Sequence, residues 1–150
     1  MTGIRSVRMT LSVVALSLGV VAVGALSVAE AGAVAKAKPV LTVTPSIGLH
    51  NGTTVKVSGK GFKPHDSLFV VECLRVATGQ AGCSILKPVS VTTNARGVMP
   101  TVRFKVFTGV VGNGKCGTKV SNLKGCAISA GNITGGDTAV APIVFSAPKK

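Results

Sequence analysis

Four cysteines place the strongest constraint on this chain, because they form two pairs with the same spacing. Nine residues separate Cys73 from Cys83, and nine separate Cys116 from Cys126. Zinc-binding pairs are usually about two to four residues apart, and a thioredoxin-type motif places about two residues between its cysteines. Neither pattern is present. Outside the cytoplasm, four cysteines indicate two disulfides with three possible pairings. The sequential pairing closes two loops of equal length, and we predict it on that ground.

The first thirty-five residues predict such a compartment. Arg5 and Arg8 precede an uncharged run at 9–29, and small residues of the Ala-x-Ala type follow it. This order is typical of a secretory signal peptide. The run is also long enough for a retained membrane anchor, which is the alternative. Its many small residues favour cleavage after Ala35. We therefore expect a signal peptide at 1–35 and a secreted, extracellular chain of 115 residues without a membrane span.

The charge of the chain is strongly positive. There are 17 Lys and Arg against 4 Asp and Glu, and cleavage would remove Arg5, Arg8 and Glu30, leaving 15 basic and 3 acidic residues and a net charge of +12. Such a chain is attracted to polyanions such as nucleic acid, acidic wall polymers and anionic lipid. It has no Trp or Tyr on which bases could stack. We therefore expect weak, salt-dependent binding of DNA or another polyanion through phosphate attraction.

Strand patterns begin after Pro39. Short runs rich in Val, Thr, Ile and Phe alternate with turns that contain Gly, Pro and Asn, and residues 53–58 show the period of two of a half-buried strand. We predict strands near residues 41–44, 53–58, 68–73, 89–93, 98–107, 126–130 and 139–145. Seven short strands predict an all-β fold, a seven-stranded immunoglobulin-like antiparallel sandwich or barrel with two short-loop disulfides. The domain should cover 40–146, between a basic linker at 36–39 and a basic tail at 147–150.

Several segments together suggest a family. LTVTPSIGLHNGTTVKVSGKGF at 41–62, CLRVATGQAGC at 73–83, SVTTNARG at 90–97 and GCAISAGN at 125–132 resemble the neocarzinostatin family of secreted actinobacterial proteins. The resemblance covers nearly the whole mature domain. It implies a seven-stranded barrel beside which two loops and a small ribbon frame a cleft. In the antibiotic members that cleft holds an enediyne chromophore, which cuts DNA, and the loop at 73–83 stands at the cleft wall.

The resemblance also implies a set of ligand-binding positions. Residues expected to line the cleft are Arg75, Ala81, Pro88, Phe107, Ala127, Ser129 and Gly131. Arg75, Ala81 and Pro88 stand where the antibiotic carriers have aromatic or large apolar residues, and Phe107 is the aromatic that survives. An enediyne cleft depends on aromatic faces for stacking, so the same chromophore is not expected here. Arg75 is interpreted either as a solvated arginine or as a cation that binds an acidic or aromatic ligand.

Hydrolytic and metal chemistry find little support in the sequence. His65, Asp66 and Ser67 are neighbours in one turn, and a catalytic triad needs side chains that converge from separate elements. Three acidic residues are too few for a carboxylate pair or a calcium site, and His50 and His65 alone make no metal site. We therefore expect no enzyme activity, no catalytic residues, no metal and no cofactor. Phe62, Phe69, Phe104 and Phe145 fall in or beside strands and are predicted to lie in the core.

Two functions remain as hypotheses. The first is a secreted, monomeric carrier that holds an apolar or anionic small molecule in a cleft. The second is a cationic, envelope-associated interaction protein that binds polyanions through its surface charge. A cleft lined by apolar groups favours the first, and a closed cleft with lysines on one face favours the second.

Overall fold

The computed structural model describes residues 38–76 and 79–147. The predicted signal peptide at 1–35, residues 36–37 of the predicted linker and residues 148–150 of the predicted tail lie outside these ranges. In the described ranges no helix is long and apolar enough to cross a membrane.

Nine short strands form the framework of the described chain. They are β1 (Val40–Thr44), β2 (Thr54–Lys60), β3 (Ser67–Leu74), β4 (Val89–Thr92), β5 (Met99–Lys105), β6 (Gly109–Val111), β7 (Gly114–Cys116), β8 (Cys126–Gly131) and β9 (Thr138–Ile143). A three-stranded sheet has the order β1-β2-β5 and a four-stranded sheet the order β4-β3-β8-β9, while β6 and β7 pair as a separate ribbon. All the pairings between these nine strands are antiparallel. Two one-turn 3₁₀ helices, Gln80–Gly82 and Val120–Asn122, lie in the disulfide loops.

The two sheets face each other across one apolar core. Strand alternation turns Val55 and Val57 of β2 and Leu68 and Val70 of β3 inward, and all four are fully buried. β1 contacts β9 and β4 contacts β5 along the edges, so the sandwich closes towards a barrel. The predicted all-β antiparallel fold of immunoglobulin type is confirmed. Its two sheets contain seven strands, and the ribbon adds two that the strand pattern did not predict.

Three of the four phenylalanines that were predicted to lie in the core are buried there. Phe62, Phe104 and Phe145 are at most 3% exposed. The prediction for Phe69 was wrong, because its neighbours Leu68 and Val70 face inward and the alternation of β3 turns Phe69 to the outer face of the four-stranded sheet.

The disulfides join Cys73 to Cys83 and Cys116 to Cys126, which is the sequential pairing. The first closes the segment 73–83, called here the stapled loop. The second connects the end of the ribbon to the start of β8, and both of its cysteines are fully buried.

Candidate functional site

A concave cleft of about 540 Å³ opens on the outer face of the four-stranded sheet. Two cross-strand rows form its floor, and these are Val71–Ser129–Val140 and Phe69–Gly131–Thr138. In each row the middle strand, β8, contributes a small residue between larger side chains on β3 and β9. A β-carbon added at Gly131 would lie 2.7 Å from Oγ1 of Thr138, closer than such contacts allow. The small residues of β8 therefore make the floor concave.

The stapled loop and the segment after it form one wall. Lining residues from this part are Arg75, Gly79, Gln80, Cys83, Ile85 and Pro88. Besides the Cys73–Cys83 disulfide, two backbone hydrogen bonds fix the loop: the Cys83 N–H donates to the Gln80 carbonyl at 3.0 Å, and the Ser84 N–H donates to the Glu72 carbonyl at 2.8 Å. The wall is thus anchored to β3 by a covalent bond and by backbone pairing.

The ribbon supports this wall from behind. The Asn113 N–H donates to the Ala81 carbonyl at 3.0 Å. Gly112, at the turn of the ribbon, has a φ of 53°, and a β-carbon there would lie 2.3 Å from the Ala81 oxygen. Only glycine allows so close an approach in this conformation. The ribbon therefore contacts the outer side of the stapled loop, away from the cleft.

The turn between β8 and β9 forms the opposite wall, with Asn132, Ile133 and Gly135 in the lining. Its two ends are attached to the turn before β3. Nδ2 of Asn132 donates to Oδ2 of Asp66 at 2.9 Å, and the Lys63 N–H donates to the carboxylate of Asp137. Asp66 belongs to the His-Asp-Ser neighbours of the sequence, and in the structure its carboxylate positions a cleft wall.

The lining is mainly apolar and partly open to solvent. Ile85 is 73% exposed, Ile133 74% and Val140 54%, and all three line the cleft. Exposed apolar side chains clustered in a concavity are typical of ligand-binding sites. Among the lining residues of the described chain, Arg75 carries the one charge, and Ser129, Thr138 and Gln80 supply neutral polar groups. The arrangement can bind an apolar body with an acidic group and has no nucleophile paired with a base.

The structure brings some of the expected ligand positions together and leaves others apart. Arg75, Pro88, Ser129 and Gly131 line the cleft together with Cys73 and Cys83. Ala81, Phe107 and Ala127 do not line it. Their positions in the fold explain this.

The Ala81 carbonyl accepts the hydrogen bond from the ribbon, so this residue belongs to the contact behind the wall. Phe107 packs against the core where the chain leaves β5 for the ribbon, and its N–H donates to Oε2 of Glu72 at 3.0 Å. Ala127 shares a strand face with Ser129, but it is fully buried and offers no surface.

Sequence reasoning missed most of the apolar lining. Phe69, Val71, Leu74, Ile85, Ile133 and Val140 were not expected there. Alternation along β3 separates Phe69 and Val71 from Leu68 and Val70, but it does not show which of the two faces is covered. The floor is recognised only in the structure, where the outward Phe69 lies beside the small residues of β8.

Glu72 lies between two outward-facing positions of β3 and points into the core. It is fully buried, Oε2 accepts the Phe107 N–H, and Oε1 has no hydrogen-bond partner among the described residues. Burial away from water raises the pKa of the Glu72 carboxyl to about 7, and the Phe107 hydrogen bond lowers it in part. One oxygen of the Glu72 carboxylate lies within 4.8 Å of the sulfurs of Cys116 and Cys126. Those sulfurs are joined in a disulfide, so they supply no thiolate ligand for a metal.

Comparison of the sequence with known protein families identifies the family to which this fold and its cleft belong. A sequence model of the neocarzinostatin family matches residues 41–145. The chain belongs to the neocarzinostatin family. The match spans both sheets, the ribbon and both disulfide loops, so the family assignment covers the whole cleft.

Two curated members of the neocarzinostatin family illustrate the likeness. The antitumor antibiotic C-1027 apoprotein of Streptomyces globisporus is 34% identical over 121 residues, which cover 80% of this chain and 82% of that protein. Macromomycin of Streptomyces macromomyceticus is 37% identical over 112 residues, which cover 72% of this chain and 77% of that protein.

Solved structures agree. The solved structure of macromomycin superimposes on this protein with a TM-score of 0.56 and 35% sequence identity. The superposition covers 72% of this chain and 99% of the macromomycin chain. Apokedarcidin, known in solution, superimposes with a TM-score of 0.51 at 29% identity, covering 73% and 100%.

Proposed function

We propose that this protein is a secreted, non-enzymatic carrier of a small, mainly apolar molecule that bears an acidic group. The observation that carries the proposal is the open cleft, in which apolar side chains remain exposed beside a single charged residue, Arg75. A cleft of about 540 Å³ lies within the usual range of small-molecule sites. A relative described as an antibiotic apoprotein supports a role in holding a non-protein group.

The lining favours a ligand smaller than a large polycyclic chromophore. Phe69 is the one aromatic residue among the lining side chains of the described chain, and Arg75 and Pro88 stand where the family resemblance implies aromatic faces. Each buried aromatic contact that is missing removes on the order of 1–3 kcal/mol of binding free energy. We therefore expect no tight binding of a neocarzinostatin-type chromophore.

Titration with matched naphthalene compounds tests the role of Arg75. 1-Naphthoate carries an acidic group on an apolar body, and 1-naphthamide is its uncharged counterpart. We expect naphthoate to bind in roughly the micromolar range, and Arg75→Ala to weaken it about 3- to 10-fold because an exposed ion pair is partly screened. Naphthamide should bind equally to wild type and Arg75→Ala.

The control is Arg96→Ala, which removes an exposed arginine outside the cleft. Equal weakening of naphthoate by Arg75→Ala and Arg96→Ala would show that only the net charge matters. Failure of wild type to bind either compound would remove the support for a carrier of this ligand class.

A second variant tests the floor. Ser129→Leu should fill the concavity between Val71 and Val140 and abolish binding of both compounds, because it occupies the space that the ligand needs. Thr42→Leu places the same side chain on the outer face of the other sheet and should leave binding unchanged. Far-UV circular dichroism of both variants checks the fold. Unaltered binding by Ser129→Leu would contradict the assignment of the floor.

The processing of the chain is part of the proposal. We expect export with cleavage after Ala35, and a monomer of 115 residues in the medium. N-terminal sequencing of the exported protein should begin at Lys36, and sedimentation should give the monomer mass. Recovery of residues 1–35 in a membrane fraction would show instead that this segment is kept as an anchor.

A further inference from the structure

A group of potential metal ligands lies in the core, on the side of the four-stranded sheet away from the cleft. It consists of Glu72 of β3, Cys116 of β7 and Cys126 of β8, and all three residues are fully buried. One carboxylate oxygen of Glu72 and the two sulfurs lie within 4.8 Å of one another. We call these residues the buried ligand cluster. Three side chains from three separate strands therefore converge on one point inside the protein.

The Glu72 carboxylate has more binding capacity than the fold uses. Oε2 accepts the Phe107 N–H at 3.0 Å, and Oε1 has no hydrogen-bond partner among the described residues. A buried polar atom without a partner is costly and rare in folded proteins, and an ion is one of the groups that can satisfy it. The Phe107 hydrogen bond also orients the carboxylate, as second-shell partners orient carboxylates that bind metals. Glu72 is thus held in place with ligand capacity to spare.

The two cysteines of the cluster can bind a metal only after reduction. A thiolate is a metal ligand, whereas a sulfur in a disulfide is not. A phosphine reductant breaks the S–S bond, takes the oxygen of one water molecule and leaves two thiols, which carry the two protons of that water. Cysteines are also thiols in a chain that has not yet met an oxidising compartment. The disulfide and the dithiol are therefore two states of the same pair of sulfurs.

The backbone positions suit a tetrahedral metal. The Cα atoms of Cys116 and Cys126 are 5.7 Å apart, at the end of β7 and the start of β8. Two thiolates on one tetrahedral zinc lie about 3.8 Å apart, because each Zn–S bond is about 2.3 Å long. Rotation of the two side chains from these Cα positions reaches that separation. Zinc also accepts a carboxylate oxygen as a further ligand.

We propose that the reduced protein binds one Zn²⁺ through the thiolates of Cys116 and Cys126 and the carboxylate of Glu72. Binding releases the two thiol protons to water. The Asn122 carbonyl oxygen lies 4.0 Å from Sγ of Cys126, and this oxygen or a water molecule completes the four-coordinate site. The metal then connects the ribbon to β8 in place of the disulfide. The site lies in the core, so it does not depend on what the cleft binds.

The other cysteine pair is a matched comparison within the same chain. Cys73 and Cys83 have the same spacing as the buried pair. Both of them line the cleft on the outer face of the sheet, whereas Glu72 points into the core. In the part of the chain that the structure describes, no carboxylate or imidazole joins these two sulfurs in a group of three ligand atoms. The two pairs therefore differ in the third ligand.

The test compares two variants that each retain one cysteine pair. Cys73→Ser with Cys83→Ser retains the buried pair, and Cys116→Ser with Cys126→Ser retains the pair at the cleft. Each protein is unfolded in urea with a phosphine, refolded without oxygen and titrated with Zn²⁺ in competition with a chromophoric chelator. Cd²⁺ is the spectroscopic probe, because thiolate-to-cadmium charge transfer absorbs in the ultraviolet and the chain has no Trp or Tyr there. Oxidised wild type gives the background binding.

We expect the variant with the buried pair to bind one Zn²⁺ at least about 10-fold more tightly than the variant with the cleft pair, because loss of even a second-shell partner costs about 10- to 100-fold. Glu72→Gln, placed in the variant with the buried pair, should weaken zinc binding by at least about 10-fold. Glutamine keeps the acceptor for the Phe107 N–H and lacks the negative charge. Zinc should also raise the urea midpoint of the variant with the buried pair.

Two results would overturn the proposal: zinc binding by the buried pair that is no tighter than binding by the cleft pair, or unchanged affinity after Glu72→Gln. Far-UV circular dichroism follows the fold of every sample. If the reduced variants are unfolded without metal, Zn²⁺ should restore the β-sheet spectrum of the variant with the buried pair and not that of the other, as in domains that fold on binding zinc. No recovery at saturating zinc would then count against the buried ligand cluster.

Discussion

Replacing Glu72 by glutamine should change how the stability of this protein depends on pH. The carboxyl is fully buried, and its pKa rises from an ordinary value of 4.5 to about 7. In the folded protein the group therefore keeps its proton to a higher pH than it does in the unfolded chain. The contribution of the Glu72 carboxyl to the free energy of unfolding is fully present below pH 4.5, where the group is protonated in both states. This contribution is lost as the pH rises through about 7.

The size of the effect follows from the shift in pKa. Each pH unit between the unfolded and folded values changes the free energy of unfolding by about 1.4 kcal/mol. Glu72 alone should therefore lower the stability by about 3 kcal/mol between pH 4 and pH 8.5. Glutamine keeps the acceptor for the Phe107 N–H and cannot ionise, so Glu72→Gln should lack this loss.

Urea unfolding of both proteins at a series of pH values measures the difference. Far-UV circular dichroism is the suitable signal, because the chain has no Trp and no Tyr. The disulfides must be kept oxidised. Subtracting the two curves removes the contribution of every other titrating group, and the difference should be near zero at pH 4 and about 3 kcal/mol in favour of Glu72→Gln at pH 8.5. Parallel curves would refute the reasoning, because they would mean that Glu72 ionises equally easily in the folded and unfolded states.

The hydrogen bond itself can be tested separately. Glu72→Leu removes the acceptor of the Phe107 N–H and should be less stable than Glu72→Gln by about 1 kcal/mol at every pH. A leucine variant as stable as the glutamine variant would show that water satisfies this N–H.

Two further predictions concern the supports of the stapled loop. Gly112→Ala should lower the free energy of unfolding in urea more than Gly135→Ala. Both positions have a positive φ, but only a β-carbon at residue 112 would collide with the Ala81 backbone. Equal losses in the two variants would contradict the close approach of the ribbon to the stapled loop. Removing the Cys73–Cys83 disulfide with two serines should lower the stability by about 3 kcal/mol and also weaken naphthoate binding. Replacing Cys116 and Cys126 with serines should cost at least as much stability, because both residues are fully buried, but should leave naphthoate binding nearly unchanged. If this second pair of serines weakened naphthoate binding and the first pair did not, the Cys73–Cys83 disulfide would not shape the cleft wall.

The sequence by itself determined the fold class and the framework of the loops. Regular alternation in short runs and turn residues between them predicted the seven sandwich strands, because period two and positive φ are local properties. The equal spacing of Cys73–Cys83 and Cys116–Cys126 predicted the pairing found in the structure. Arg75 and Ser129, which the family resemblance proposed as ligand-binding residues, both lie in the lining of the cleft, and their role in binding stays a prediction.

The tertiary structure decided which face of the sheet is open. Strand β3 is apolar on both sides, so alternation separates Leu68 and Val70 from Phe69 and Val71 without showing which pair is covered. The sheet β1-β2-β5 covers the face that carries Leu68 and Val70. Its strands are distant from β3 in the sequence or separated from β3 by loops. The same packing placed Glu72 in the core and turned Phe107 away from the cleft. Burial of a given side depends on contacts between distant segments, and no local pattern in one strand contains that information.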